Sequence, residues 1–242
     1  MTKAFEKYRT AIVGVPSKKI RPLFERHSKE LGEVLLNRLF DTGGPTSLQH
    51  STSKNEQFFI KMFYGLTEIT NSFDTLKDIE TYINRFPFSK SKVTKLRYLC
   101  FVIESYLNEM YILHQRLINY LNLIKKAYSK SSRKKEILTI LDPLYRLVSS
   151  AFKSVSLVRG AHVHEYRFSD KEIDRLRALE LLSSKSDEPV LSLLFRMGYS
   201  KARLEWRKTV ISNNVSIRTL FNSYFAALHP VMFDSDGNMR YP

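Results

Sequence analysis

The chain has 242 residues, 43% of them apolar, and a formal net charge of +15 from 39 Lys and Arg against 24 Asp and Glu. That apolar share suffices for a packed core and excludes a chain dominated by disorder, while the charge points to polyanionic partners, nucleic acid or an acidic membrane surface. The single cysteine, Cys100, excludes an intrachain disulfide, reads as a small buried side chain and fits a reducing, cytoplasmic setting.

The first residues, Met1-Thr2-Lys3-Ala4-Phe5-Glu6-Lys7, lack the apolar core of a secretory signal. The longest apolar region is interrupted by Glu104, Asn108 and Glu109, so no membrane span is predicted. Glycine and proline are scarce and apolar residues recur at helical spacing, which predicts an all-α protein.

A first helix is expected over 21–40, ended by the breaker stretch 41–47 and the polar stretch 51–55. Two shorter helices follow over 56–71 and 75–85, with Pro87 closing the second. From 93 to 128, Leu96, Leu99, Ile103, Leu107, Met110, Leu113, Leu117 and Leu121 form one apolar stripe in steps of three or four. The basic turn 129–135 leads to a second long helix with the stripe Leu138, Leu141, Tyr145, Val148, Phe152 and Val155, and the two form an antiparallel hairpin. Pro143 is expected to kink that helix or split off its first turns. Ser169 or Asp170 caps a short helix running to Leu182, and a last helical region reaches about residue 228, broken or bent at Gly198 and at Ser212-Asn213-Asn214.

The chemistry-bearing stretch is Val158-Arg159-Gly160-Ala161-His162-Val163-His164-Glu165-Tyr166. The apolar stripe of the second helix continues by its own step from Val155 to Arg159 and His162, so charge falls where core residues had been. A guanidinium holds phosphate in a planar fork and an imidazole moves a proton near neutral pH, a pair suited to phosphodiester chemistry. In an unbroken helix His162 shares the face of Arg159, while His164 lies roughly 140° away. A break at Gly160 would let His164 swing back.

Other readings of the stretch stay open. Arg159 can pair with Glu165 or Asp170 while the histidines serve the helix end. His162, His164 and Glu165 carry zinc-type donors, although no Cys pair or His-Glu-x-x-His accompanies them, so neither metal nor cofactor is expected.

Arg159, four residues, His164, one residue and Tyr166 resemble the Arg-x4-His-x-Tyr signature of HEPN-superfamily ribonucleases, over about residues 93–182. The resemblance implies an antiparallel helical bundle, here with additional N- and C-terminal helices. With no repeat and no composition shift to divide the chain, a helical extension over 1–92 is expected to pack on a core and C-terminal helices over 93–242 as one compact unit. The resemblance also implies a homodimer whose two motifs share a cleft, and metal-independent cleavage of RNA. Arg159 would hold the phosphate and His164 would act in 2′-hydroxyl attack, with His162 and Tyr166 auxiliary. In toxin members the matching tyrosine is adenylylated by a nucleotidyltransferase antitoxin, so the resemblance extends to a toxin or defence role and to Tyr166 as the modified residue. The alternative is a non-catalytic helical module that binds RNA, a nucleotide or a protein partner.

Arg167, Lys171, Arg175 and Arg177 flank the motif and are candidates for adjoining phosphates, with Glu172 and Asp174 able to balance them. The run from Lys125 to Lys135 could track an RNA backbone with Tyr128 stacking on a base, or form a solvated turn; in a hairpin it lies at the end away from Arg159. Lys201, Arg203, Arg207 and Lys208 around Trp206 read as solvated charge about a packing anchor. Asp234-Ser235-Asp236-Gly237-Asn238 lacks the closing glutamate of a calcium loop and reads as a polar turn.

Overall fold

The computed structural model describes residues 2–14, 25, 28–30, 32–33, 37, 53–88, 92–153, 155, 170–186 and 188–242. The described residues form α1 (Lys3–Gly14), α2 (Lys54–Tyr82), α3 (Lys95–Ala127), a 3-10 turn (Tyr128–Lys130), α4 (Lys134–Ala151), α5 (Lys171–Lys185) and α6 (Pro189–Met232). They include no strand, only an isolated antiparallel bridge between Phe233 and Met239. The protein is all-α. The helix expected over 21–40 and the loop after it lie mostly outside the described residues.

The chain forms two compact units, each built from segments distant in sequence. The first comprises Met1–Thr67, Asn119–Leu144 and Phe221–Pro242. Its α1 was not among the expected elements, although Phe5, Tyr8 and Ile12 step by three and four and are all fully buried. Burying each such side chain contributes about 1.5–3 kcal/mol. Phe5 packs on Phe221 and Phe225 at ring-centroid distances of 5.5 and 4.9 Å, and Tyr8 on Phe233 at 5.7 Å. Ser53 opens α2 with a capping box: its Oγ accepts from Glu56 N at 3.3 Å, and its own N–H donates to Glu56 Oε2 at 2.7 Å.

In this unit α2 and α3 run antiparallel, Phe58 meeting Tyr128 edge to face and Gly65 meeting Tyr120. A Cβ on Gly65 would fall 2.7 Å from Cδ2 of Tyr120, whose ring is buried and whose hydroxyl is 3.0 Å from that of Tyr8. At the chain's end Asp234 Oδ1 accepts from the N–H groups of Asp236 and Asn238, at 3.0 and 2.8 Å, and Gly237 takes a φ of 79°. These backbone donors hold the Asp234 carboxyl below its ordinary range, as a polar turn requires.

The second unit comprises Glu68–Ile118 and Tyr145–Leu220. All eight residues of the expected α3 stripe are buried, those from Leu96 to Leu117 here and Leu121 in the first unit. Thr94 begins the helix, its Oγ1 accepting from Arg97 N at 3.2 Å. Phe152 stacks obliquely on His114 at 5.3 Å, while Val155 and Met110 line one small recess, so the chain after α4 runs antiparallel to α3 as expected.

Four expected breaks, in three helices, fall inside continuous helix. In α2, the gap expected between a helix ending at 71 and one starting at 75 is helical: Ser72 is buried and its Oγ accepts from Arg116, which also bonds the Glu68 carbonyl at 3.0 Å and the Glu68 carboxylate. In α4, Pro143 sits on the exposed face with Thr139, so the carbonyl that the proline leaves unpaired is not trapped in the core. The buried stripe there includes Ile137 and Leu144, whereas the expected Leu138 and Tyr145 are only half-buried. In α6, Asn214 is fully buried and satisfied: its Nδ2 donates to the Leu76 carbonyl at 3.1 Å and to Glu80 Oε1 at 2.7 Å, and Tyr106 donates to its Oδ1 at 3.4 Å. Gly198 is a contact point, since a Cβ there would lie 2.8 Å from Cδ2 of Leu176 in α5.

Replacing Gly65 by alanine sets two effects against each other. Alanine favours a helix interior by up to about 1 kcal/mol, while forcing atoms into a filled core costs about 1–3 kcal/mol. The Tyr120 ring is hydrogen-bonded and enclosed, so overpacking should win. Gly65→Ala is expected to lower the melting temperature by about 2–6 °C. An unchanged or higher value in a thermal melt would show that the ring yields.

Candidate nucleic-acid interface

Arg159, His162, His164, Tyr166 and Arg167 lie outside the described residues, as does Glu165. The described chain leads to them at Val155, which is buried, and resumes at Asp170. Asp170 is the expected cap: its Oδ1 accepts from Glu172 N at 2.8 Å and Ile173 N at 3.2 Å, which fixes the start of α5.

Among the candidates on α5, Lys171 and Arg175 are exposed. Arg177 is half-buried: it pairs with Asp174 at 2.9 Å, lies 3.9 Å from the Cys100 sulfur, and lines a recess of about 350 Å³ with Arg97, Glu104 and Glu180. Two carboxylates face its two arginines, so the charge of this recess is largely balanced. Cys100 is buried, as its apolar neighbours indicated. On α6, Arg203 donates to the Asn84 carbonyl at 3.3 Å and Trp206 is half-buried, while Lys201, Arg207 and Lys208 are exposed.

A recess of about 940 Å³ lies in the first unit between the start of α2 and the end of α3. One wall carries Lys54, Gln57, Phe58 and Lys61, spaced by three or four residues along a single helical face. The other carries Asn119, Asn122, Leu123 and Lys126, spaced in the same way, with Lys130 beyond the helix end. All four lysines are exposed, none has a carboxylate partner among the described residues, and no Asp or Glu lines the recess.

The basic run 125–135 is therefore divided by its packing. Lys126 and Lys130 face the recess, while Arg133 pairs with Glu136 at 2.9 Å, donates to the Val231 carbonyl at 3.4 Å and lies 5.7 Å from the Tyr128 ring. Tyr128 does not offer a face for stacking: its ring is buried edge to face with Phe58 and its hydroxyl donates to the Arg240 carbonyl. Burial pushes its phenol up to about 12 despite Arg133 and Arg240. The second wall escaped notice because Lys54 and Lys61 belong to a different helix and form no run.

Among the described residues no three His, Cys, Asp or Glu side chains gather as metal ligands, and no helix is long and apolar enough to cross a membrane. The chain matches no family model, no curated protein and no solved structure. What the described residues define is an all-helical protein with a cationic, carboxamide-bearing recess.

Half-buried His114 carries the one buried side-chain polar atom without a hydrogen-bond partner among the described residues, its Nε2. Burial holds its imidazole below the ordinary value of 6.5, and burial with the nearby Lys7 charge does the same for His229. Below 6.5 the unfolded chain therefore binds protons that the folded one resists, so stability is lost as pH falls through that value. The melting temperature should be lower at about pH 5.5 than at about pH 7.5, and His114→Phe should narrow the gap. A gap of the same size in the variant would remove His114 from the account.

Proposed function

We propose that the protein is a HEPN-like, metal-independent endoribonuclease acting on RNA. The observation that carries this reading is the order Arg159, His164, Tyr166 in the segment that follows two long antiparallel helices. The net charge of +15 supports a polyanionic substrate.

In the proposed reaction the ribose 2′ oxygen attacks the adjoining phosphorus as the bond from phosphorus to O5′ breaks. His164 takes the 2′ proton or supplies one to the departing oxygen, and Arg159 stabilises the charge gathering on the phosphoryl oxygens. Two copies sharing a cleft would provide one imidazole for each proton transfer. His162 and Tyr166 position RNA, and Tyr166 is the residue an antitoxin nucleotidyltransferase would modify. Lys171 and Arg175, both exposed, are suited to adjoining phosphates, and Arg167 and Arg177 are the further candidates of that segment.

A dimer is supported by the apolar stripe Val190, Leu193, Leu194 and Met197, which steps by three and four along α6 and stays exposed, as do Leu181 and Leu182 of α5. Light scattering at micromolar protein should return twice the chain mass; the mass of a single chain would discard the shared cleft.

The test of chemistry uses labelled single-stranded RNA, the same RNA with one 2′-deoxy nucleotide, and the corresponding DNA. The protein should leave 2′,3′-cyclic phosphate ends, spare the deoxy position and the DNA, and work in chelator. Arg159→Ala and His164→Ala should each reduce cleavage by about 100-fold or more with folding retained, and His162→Ala by less. Cleavage persisting in the His164 variant would reject that assignment. Tight RNA binding with no cleavage would favour the non-catalytic binding module, the reading to which the cationic recess also lends itself.

A further inference from the structure

We propose that the recess between the start of α2 and the end of α3 holds a single-stranded polynucleotide by its phosphodiester backbone, without reading its bases. Its sign is set by side chains. The positive end of α2 and the negative end of α3 meet there, each worth roughly half a charge, so their dipoles offset each other. What remains is Lys54, Lys61, Lys126 and Lys130, exposed and with no Asp or Glu side chain in the lining, which also includes Pro242.

These cations are distributed along the walls. Lys54 and Lys61 stand two turns apart on one face of α2, about 10 Å along the axis at 1.5 Å per residue. A row of charges of that length matches a chain of phosphates better than a single phosphate. Beside them Asn55, Asn119 and Gln57 supply carboxamides able to donate to phosphate oxygens.

The lining also argues against other polyanions. It contains no arginine, whose planar fork is the better match to the carboxylates of an acidic peptide. Its apolar members, Phe58, Leu123 and Ala127, include no exposed aromatic pocket to anchor a protein partner. The lysines line a concavity, where a flat bilayer would reach only the rim. Because Phe58 and Tyr128 are both buried, neither presents a face on which a base could stack, so binding should ignore sequence and accept RNA and DNA alike.

The inference draws on the RNA reading for no step and is tested apart from it. Fluorescence anisotropy with labelled oligouridylate and oligothymidylate, over a range of salt, reads it directly. Each phosphate contact to a single strand contributes about 0.7 to the slope of log affinity against log salt. Lys54→Ala/Lys61→Ala/Lys126→Ala/Lys130→Ala should therefore lower the slope by about 3 and the affinity at least tenfold on both polymers. The same protein should keep its melting temperature and helical circular dichroism, since all four side chains are exposed. Lys61→Ala and Lys126→Ala alone should each lower the slope by about 0.7. Cleavage is read separately with Arg159→Ala and recess binding with the lysine variants, so loss of cleavage and loss of recess binding are distinguishable results. Absence of binding by the native chain, or an unchanged slope in the fourfold variant, overturns the proposal. So does equal competition by polyglutamate or by phosphatidylserine vesicles at matched charge, which would assign the lysines to an acidic protein or a membrane.

Discussion

The spacing between α2 and α3 in the first unit is set where Gly65 lies against Tyr120. With any side chain at 65 the helices could not close to this distance without moving a buried ring whose hydroxyl meets Tyr8. Tyr8 carries the constraint into α1, whose own side chains reach the aromatic residues of α6 and the tail. One absent methyl group thus governs three helices. It also governs the recess, because Lys61 lies one turn before Gly65 and Asn119 immediately precedes Tyr120. The wall-to-wall distance that any bound strand would meet follows from a packing contact outside the recess itself.

Buried polar groups do comparable work in the second unit. Arg116 joins α3 to Ser72 and Glu68 of α2, and Asn214 joins α6 to Leu76, Glu80 and Tyr106. Ser72 and Asn214, the two buried polar residues, would be costly unpaired, since an unsatisfied buried polar group costs about 1–3 kcal/mol. Paired, they tie helices together at one register, which an apolar contact able to slide does not do. Burial raises the Tyr106 phenol, keeping it a neutral donor to the asparagine oxygen.

These same groups explain what could be read from the chain and what could not. The stripe from Leu96 to Leu121 was legible because periodicity is local, and every member is buried. Asp170 was legible as a cap because its partners are two and three residues away. The continuity of α2 across Ser72 was not, since the group that satisfies Ser72 comes from residue 116. Asn214 and Gly198 read as breakers for the same reason: one is bonded across helices and the other makes room for Leu176. At the candidate site, the basic run 125–135 was visible but its partition was not, and Lys54 and Lys61 gave no signal without the fold. The Arg159 and His164 pair remains a reading of residue types and order, because it lies outside the described residues.

That partition shows how a chain rich in cations assigns them. Arg133 has a carboxylate, a carbonyl and an aromatic ring within reach, and its charge is spent on holding the 3-10 turn and the tail together. Arg116 and Arg177 are likewise engaged with acidic partners. Guanidinium groups suit such work because their several donors reach several acceptors at once. The recess, by contrast, is lined by lysines alone among the cations. A lysine ammonium stays hydrated on a flexible stem, so four can share a concavity in solvent at little cost, their mutual repulsion largely screened over about 10 Å at 0.1 M salt. Bonded arginines at the helix contacts and hydrated lysines at the open wall of the recess suit, respectively, cations that must bond in fixed directions and cations that must adapt to a mobile polyanion.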